Sequence, residues 1–291
     1  MRTWLILLIA IVFFCGSVQW FGVRYGARLQ PEKEHAFIDT SHAKARQLLI
    51  EESLETARCM FVISCMAAWP LLSFQRGEPT GLFWALEEGG YSSLWQYLAG
   101  FFVGIPAADA WLYTKHRLLH TRPLWAFHAH HHAFKNPTTF GGFAVAPVEA
   151  LWTFAPIVLW KHLPHWIPMF APSVFLFFFL NCYLHCGFSF AWAERLLPLL
   201  LLDTSAYHNV HHERVTMHFG EMFSFWDYML GTSPIYDGGL KAGYRWHLER
   251  HEARAAAGAA RRSPRRSRSR SPRRSRSPRP QSSPTERRRP V

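Results

Sequence analysis

The stretch Trp4–Val23 runs for about 20 residues without a charged side chain, and four more apolar runs follow before residue 187. Cys59–Phe74 is shorter and bounded by Arg58 and Arg76; Leu94–Tyr113 is broken only by Asp109. Phe143–Trp160 contains Pro147, Glu149 and Pro156, and Trp166–Cys186 contains Pro168 and Pro172. A helix needs about 20 apolar residues to cross a bilayer, roughly 17 at the low end. The chain therefore reads as an all-α integral membrane protein with about four to five transmembrane or deeply inserted helices. Prolines inside such helices are tolerated where neighbouring helices satisfy the freed carbonyls. The first run reads as an uncleaved anchor. A cleaved signal peptide is the alternative, but the n-region is only Met1-Arg2-Thr3 and the run is long for an h-region.

Charge divides the chain into two unlike materials. The formal net charge is +12, yet residues 261–291 alone hold 13 Arg and one Glu, which leaves 19 basic against 19 acidic residues over 1–260. The body is neutral, so the basic balance gives no reason to expect nucleic acid on it. The tail repeats Arg-Ser and Ser-Pro, RRSPRRSRSRSPRRSRSPRP over 261–280, and has too few apolar residues to fold. Anionic-lipid attraction, phosphorylation-regulated protein or RNA contact (each Ser-Pro being a kinase candidate), and an inert extension all fit it. The expected organisation is an N-terminal anchor region over 1–93, a histidine-rich region over 94–250 and a disordered tail over 251–291. Cys15, Cys59, Cys65, Cys182 and Cys186 lie mostly in or beside apolar runs and show no secreted-type disulfide framework.

Loop charges orient the spans. Six Lys/Arg stand in 24–58, only Arg76 in 75–93, four in 114–142 and only Lys161 in the 161–165 turn, with the basic tail last. Alternate loops are basic, which puts 24–58, 114–142 and everything after 187 in the cytosol. Residues 143–186 then form an out-and-back hairpin that brings 116–132 and 208–212 to one membrane face.

Histidines concentrate on that face. His116 and His120 are spaced for one face of a helix. Thr121 and Pro123 read as the cap and first turn of a restarted helix. His128, His131 and His132 follow as HxxHH, and His208, His211 and His212 repeat it 80 residues later. A lone histidine pair is usually capped or solvated, whereas eight clustered imidazoles are costly to bury unpaired and are satisfied by a metal. Eight nitrogens exceed one tetrahedral zinc, so two ions are implied. Imidazole suits iron, copper, zinc and nickel alike, so the ligand type leaves the metal open.

HRLLH at 116–120, FHAHHH at 127–132, PVE at 147–149, YHNVHH at 207–212 and FWDYMLGT at 225–232 resemble the fatty acid hydroxylase/sterol desaturase superfamily of membrane-bound di-iron enzymes, over about residues 94–235. The resemblance implies His116, His120, His128, His131, His132, His208, His211 and His212 as ligands, with His185 as a ninth; a helix-end bond to a carbonyl is the bland alternative for His185. It further implies two iron ions, O2, electrons from NAD(P)H through a reductase or cytochrome b5, a lipid substrate and the endoplasmic reticulum membrane. His130 points off the box face, His162 and His165 lie on the opposite side, and His218 is a weak candidate. His35, His42, His247 and His251 read as surface residues. Asp109, Glu149 and Asp227 are expected either to orient a histidine or to form salt bridges.

The function expected is hydroxylation or desaturation of an unactivated lipid C–H bond, a step no side chain can perform and a cofactor must carry. A dinuclear zinc hydrolase on the same histidines and a non-catalytic anchor for the Arg/Ser tail are the competitors.

Overall fold

A computed structural model describes residues 2–233, together with 249, 252, 253 and 256. The expected tail disorder and the surface placement of His247 and His251 lie outside the described residues.

The described chain is helical, with two minimal sheets. Helix α1 (Arg2–Tyr25) leads through strand β1 (Ala27–Arg28) to the 33-residue α2 (Ala43–Gln75), then β2 (Leu82–Phe83) and α3 (Leu94–Leu119). Short elements follow: α4 (Trp125–His128), α5 (Pro147–Thr153) and β3 (His165–Trp166). The long α6 (Ile167–His185) gives way to β4 (Phe188–Ser189), α7 (Ala191–Leu196), α8 (Ser205–Arg214) and α9 (Phe225–Met229).

Among the described residues three helices are long and apolar enough to cross a bilayer: α1 from Trp4, α2 and α6. At 1.5 Å per residue α2 is about 50 Å long against a hydrocarbon core of about 30 Å, so its charged first turns extend beyond the apolar layer. Helix α3, capped by Ser93 Oγ accepting Gln96 N at 3.3 Å, is also long enough. Its Asp109 and its polar end Lys115–Arg117 dilute its apolar character.

The expected span over 143–160 is not a continuous helix. Pro147 starts the seven-residue α5, which stops at Thr153, and Pro156 opens a separate 3-10 turn, Ala155–Lys161. A proline lacks the N–H that would continue the ladder, so two prolines in one short segment divide it. Two strand pairings link distant connections: β3 pairs with β2 in parallel, and β4 pairs antiparallel with β1. The first pairing joins the 75–93 and 161–165 connections; the second joins 24–58 to the segment after α6.

The core joins the N-terminal helices to the rest. Ile11 and Cys15 of α1, Cys59 and Met60 of α2, Phe143, Ala150 and Cys182 are packed in one cluster. All five cysteines are free, and Cys15 Sγ lies 3.7 Å from Cys182 Sγ. Gly22 and Gly26 let α1 approach β4: a β-carbon at either would stand 2.6–2.9 Å from Phe188 atoms. Large apolar side chains on α1, α3 and α6, including Phe13, Trp95, Val103 and Phe175, are exposed, as a lipid-facing surface requires.

Candidate metal centre

Five elements deliver the histidines. Helix α3 presents His116 and, at its C-cap, His120; α4 and the following 3-10 turn present His128, His131 and His132. His185 closes α6, and α8 carries His208, His211 and His212. The second box is not one helix, because α4 ends at His128 and the chain tightens through 131–133. Nor does Thr121 cap it: its hydroxyl donates back to Leu118 O of α3, and α4 starts only at Trp125.

These nine imidazoles form two adjoining groups. His116, His120, His128, His132 and His211 make one; His131, His185, His208 and His212 make the other, each with ring nitrogens within 4.8 Å of one another. Eight of the nine are buried, His120 being half-buried. His132 Nε2 stands 3.1 Å from His128 Nε2 and 3.2 Å from the Nε2 atoms of His120 and His211. His185 Nε2 is 2.9 Å from His208 Nε2.

Backbone carbonyls decide the tautomers. His116 Nδ1 donates to Phe219 O at 2.9 Å, His211 Nδ1 to Met217 O at 2.7 Å and His185 Nδ1 to Asn181 O at 3.0 Å. A carbonyl only accepts, so each Nδ1 carries the proton and each Nε2 presents a bare lone pair. His128 Nδ1 faces Glu149 Oε1 at 2.8 Å, a histidine–carboxylate pair buried on both sides. His116, His185 and His211 thus bring unprotonated Nε2 atoms into the two groups, and neither ring nitrogen of His212 nor His116 Nε2 has a hydrogen-bond partner in the protein. That is the condition a cation relieves.

Electrostatics point the same way. Burial holds His128, His131, His208, His211 and His212 well below the ordinary histidine range, with neighbouring imidazoles adding to it, and burial brings His120 to about 4. The neutral imidazole is the form that ligates metal.

The acceptor loop is itself held in place. Asp227 Oδ1 accepts Phe219 N at 2.9 Å and Thr232 Oγ1 at 2.6 Å; its Oδ2 accepts Gly220 N at 2.7 Å and Tyr207 O–H at 2.9 Å. Asp227 therefore touches no histidine. It fixes the turn whose carbonyl orients His116, and a β-carbon on Gly220 would stand 2.7 Å from Phe223 O.

The fatty acid hydroxylase family model matches residues 101–232, a stretch that contains all nine histidines, Asp227 and Thr232. Over that stretch, just under half of its length, the chain is similar to the fatty acid hydroxylase family. Its relatives include a methylsterol monooxygenase of Aspergillus fumigatus, 27% identical over 53% of this chain and 55% of the relative. A cholesterol 25-hydroxylase-like protein of Danio rerio is 31% identical over 39% of this chain and 43% of the relative. A Delta(7)-sterol 5(6)-desaturase of Gibberella zeae is 27% identical over 60% and 50%. The chain thus spans about half the length of the curated relatives it matches. No solved structure matches it.

The other described histidines are not members of either group. His130 is exposed, 4.0 Å from Glu55. His218, at φ 61°, stacks on Tyr207 with ring centroids 4.0 Å apart. His162 and His165 sit at the β2–β3 end, and His42 is exposed beside Glu34. His35 departs from the surface placement: it is 1% exposed, between Gln19 and the Cys186 carbonyl, because β1 pairs with β4 and draws the loop between α1 and α2 inward.

Several residues around the centre had no signal in the histidine pattern. Lys115 is buried and pairs with Glu221 at 2.6 Å, beside His116. Trp125, half-buried, stacks on His132 at 5.4 Å and lies 5.2 Å from His120. A small cavity of about 30 Å3 opens against both histidine groups, lined by His116, His128, His131, His185 and His208 with Phe143, Phe154 and Leu184.

Proposed function

We propose that the chain is a membrane-bound lipid oxygenase that hydroxylates or desaturates an unactivated C–H bond at a centre of two iron ions. The observation that supports this reading best is the convergence of ring nitrogens in groups of five and four, with five of the nine rings also lining a partly apolar cavity. Five imidazoles in one group exceed the closed tetrahedral set that structural zinc takes, and the donors suit iron. His116, His120, His128, His132 and His211 would hold one ion, and His131, His185, His208 and His212 the other. Iron, when bound, supplies the O2 chemistry strong enough for an aliphatic C–H bond. Hydroxylation takes up one O2, two electrons and two protons and releases one water; desaturation releases two.

The protein residues have defined parts in this. Glu149 and the carbonyls of Phe219, Met217 and Asn181 each hold one Nδ1 proton and so aim one Nε2. Phe143, Phe154 and Leu184 keep the cavity wall apolar, which favours a hydrocarbon segment over water. Electrons from NAD(P)H, delivered by a reductase or cytochrome b5, complete the cycle. The endoplasmic reticulum membrane, with the histidines on its cytosolic face, is the setting that loop charge supports. The relatives' names, spanning a sterol monooxygenase and a sterol desaturase, agree with a lipid substrate.

The test is comparative lipidomics of cells making the wild type or His131→Ala. The reading expects oxidised lipid that needs O2 and disappears in the variant. Identical profiles, or stoichiometric zinc in a protein that hydrolyses lipid esters, would sink it.

A further inference from the structure

Eight of the nine clustered histidines are buried, and His120 is the one that reaches the surface. It ends α3, and a tight turn follows it: Thr121 O accepts the N–H groups of Leu124 and Trp125 at 3.1 and 2.9 Å. Trp125, half-buried, lies 5.2 Å from the His120 ring. It also stacks on His132 of the same group, 5.4 Å away with 28° between the planes. His120 and Trp125 together make a small aromatic window between the five-histidine group and solvent.

Three arginines stand round this window. Arg117 lies one turn before His120 and so shares that side of α3. Arg122 lies in the turn between His120 and Trp125. Arg214 ends α8 beside Val215, whose backbone bonds the His120 ring. All three are exposed, and none is paired with a carboxylate among the described residues. Arg117 donates to the Tyr113 hydroxyl at 3.4 Å. Residues 117–125 and 211–215 hold one carboxylate, that of Glu213. By contrast, four arginines on other faces have acidic partners: Arg28 with Asp39, Arg58 with Glu55, Arg76 with Glu78 and Arg195 with Glu252. Positive charge is therefore in excess round the one opening onto the rings, on the side that loop charge places in the cytosol.

We infer that Arg117, Arg122 and Arg214 dock an acidic protein that carries one electron at a time, and that its electrons enter at the His120–Trp125 window. This rests on the oxygenase reading and deepens it. Each O2 takes up two electrons there, so two reduced carriers are oxidised for each lipid product. Electron transfer slows steeply with distance, and the half-exposed ring of His120 shortens the path from outside more than any buried histidine does. Complexes of this kind are small, commonly under about 1,200 Å2, because the carrier leaves after each delivery. A small complex depends on charge for its encounter rate and its register, and unpaired arginines round the point of transfer supply both. The Arg-rich tail over 261–291 adds a general attraction for the same charge, whereas the arginines round His120 give it a place.

The test uses the full chain with its iron in phospholipid discs, and the soluble haem domain of cytochrome b5 as the acidic one-electron probe. Wild type, Arg122→Glu, Arg214→Glu, the double variant and Arg122→Gln are compared by two readouts. One is affinity, from the fluorescence anisotropy of a label on the probe; the other is the rate at which its reduced haem is reoxidised. Each single reversal is expected to weaken binding and slow reoxidation about fivefold, and the double variant at least about twentyfold, with the differences shrinking as salt is raised. Iron content, and reduction by photoreduced riboflavin, a small uncharged donor that needs no docking surface, are expected to stay at the wild-type level. If the reversed variants do not retain iron, Arg122→Gln decides, with an expected loss of about twofold in both readouts. Equal affinity and equal reoxidation in wild type and variants overturn the inference while leaving the oxygenase reading standing. So does a difference seen only in discs containing phosphatidylserine, which assigns the arginines to lipid head groups. A wild type that takes electrons from neither donor overturns both.

Discussion

At the scale of single residues, the centre depends on which nitrogen of each ring keeps its proton. Glu149 sets this for His128, and a carbonyl sets it for His116, His185 and His211. Glu149→Leu keeps the volume but strands His128 Nδ1–H. Loss of such an outer partner typically lowers metal affinity or activity by about 10- to 100-fold. That loss is expected in lipid oxidation and iron retention, with partial recovery in Glu149→Gln, which still offers an oxygen. Equal losses in the Leu and Gln variants would mean that Glu149 acts by charge instead. Eight of the nine ring positions were legible in the sequence because HxxxH and the repeated HxxHH mark them, whereas His185 entered only through the family resemblance. Phe219 and Met217 were not, because a backbone carbonyl acts through its place in a turn and leaves no mark in residue type. Lys115 was hidden too, since a lysine between an apolar run and a histidine reads as a helix-end charge until Glu221 is found against it.

At the scale of elements, α8 carries three of the nine rings on ten residues, and its geometry depends on how it begins. Thr204 Oγ1 accepts Tyr207 N at 3.2 Å, capping the helix one turn before His208. Thr204→Ala should cost about 1 kcal/mol, lowering the melting temperature by a few degrees, and should loosen His208 before His212. A melting temperature equal to wild type would show that packing alone sets the start of α8. Helix α5 gives the opposite lesson. The apolar run 143–160 reads as a span in the sequence, yet its two prolines divide it into a short helix and a 3-10 turn, and α5 aims Glu149 at His128. Hydropathy registers how apolar a segment is and not whether its ladder continues. The β2–β3 and β1–β4 pairings link connections that loop charge also groups together.

At the scale of the whole molecule, the membrane helices and the histidine cluster are parts of one packed body, with α1, α2 and α6 sharing a core beneath the rings. Burying neutral imidazoles makes that body sensitive to acid. Burial holds His35 and His120 at about 4, whereas histidines in an unfolded chain titrate near about 6.5. Their contribution is fully present above about 6.5 and is lost as pH falls towards 4, because the unfolded chain binds protons that the fold excludes. Metal-free protein in detergent should therefore melt at least about 5 °C lower at pH 5 than at pH 7.5; an unchanged melting temperature would contradict buried neutral histidines. The most direct measurement of the central claim is metal content per chain in purified wild type, His132→Ala, His212→Ala and His130→Ala. Two irons are expected in wild type and in His130→Ala, and about one in each of the other two, because His132 and His212 sit in different groups. Zinc in place of iron, a single ion in wild type, or loss of metal in His130→Ala would contradict it.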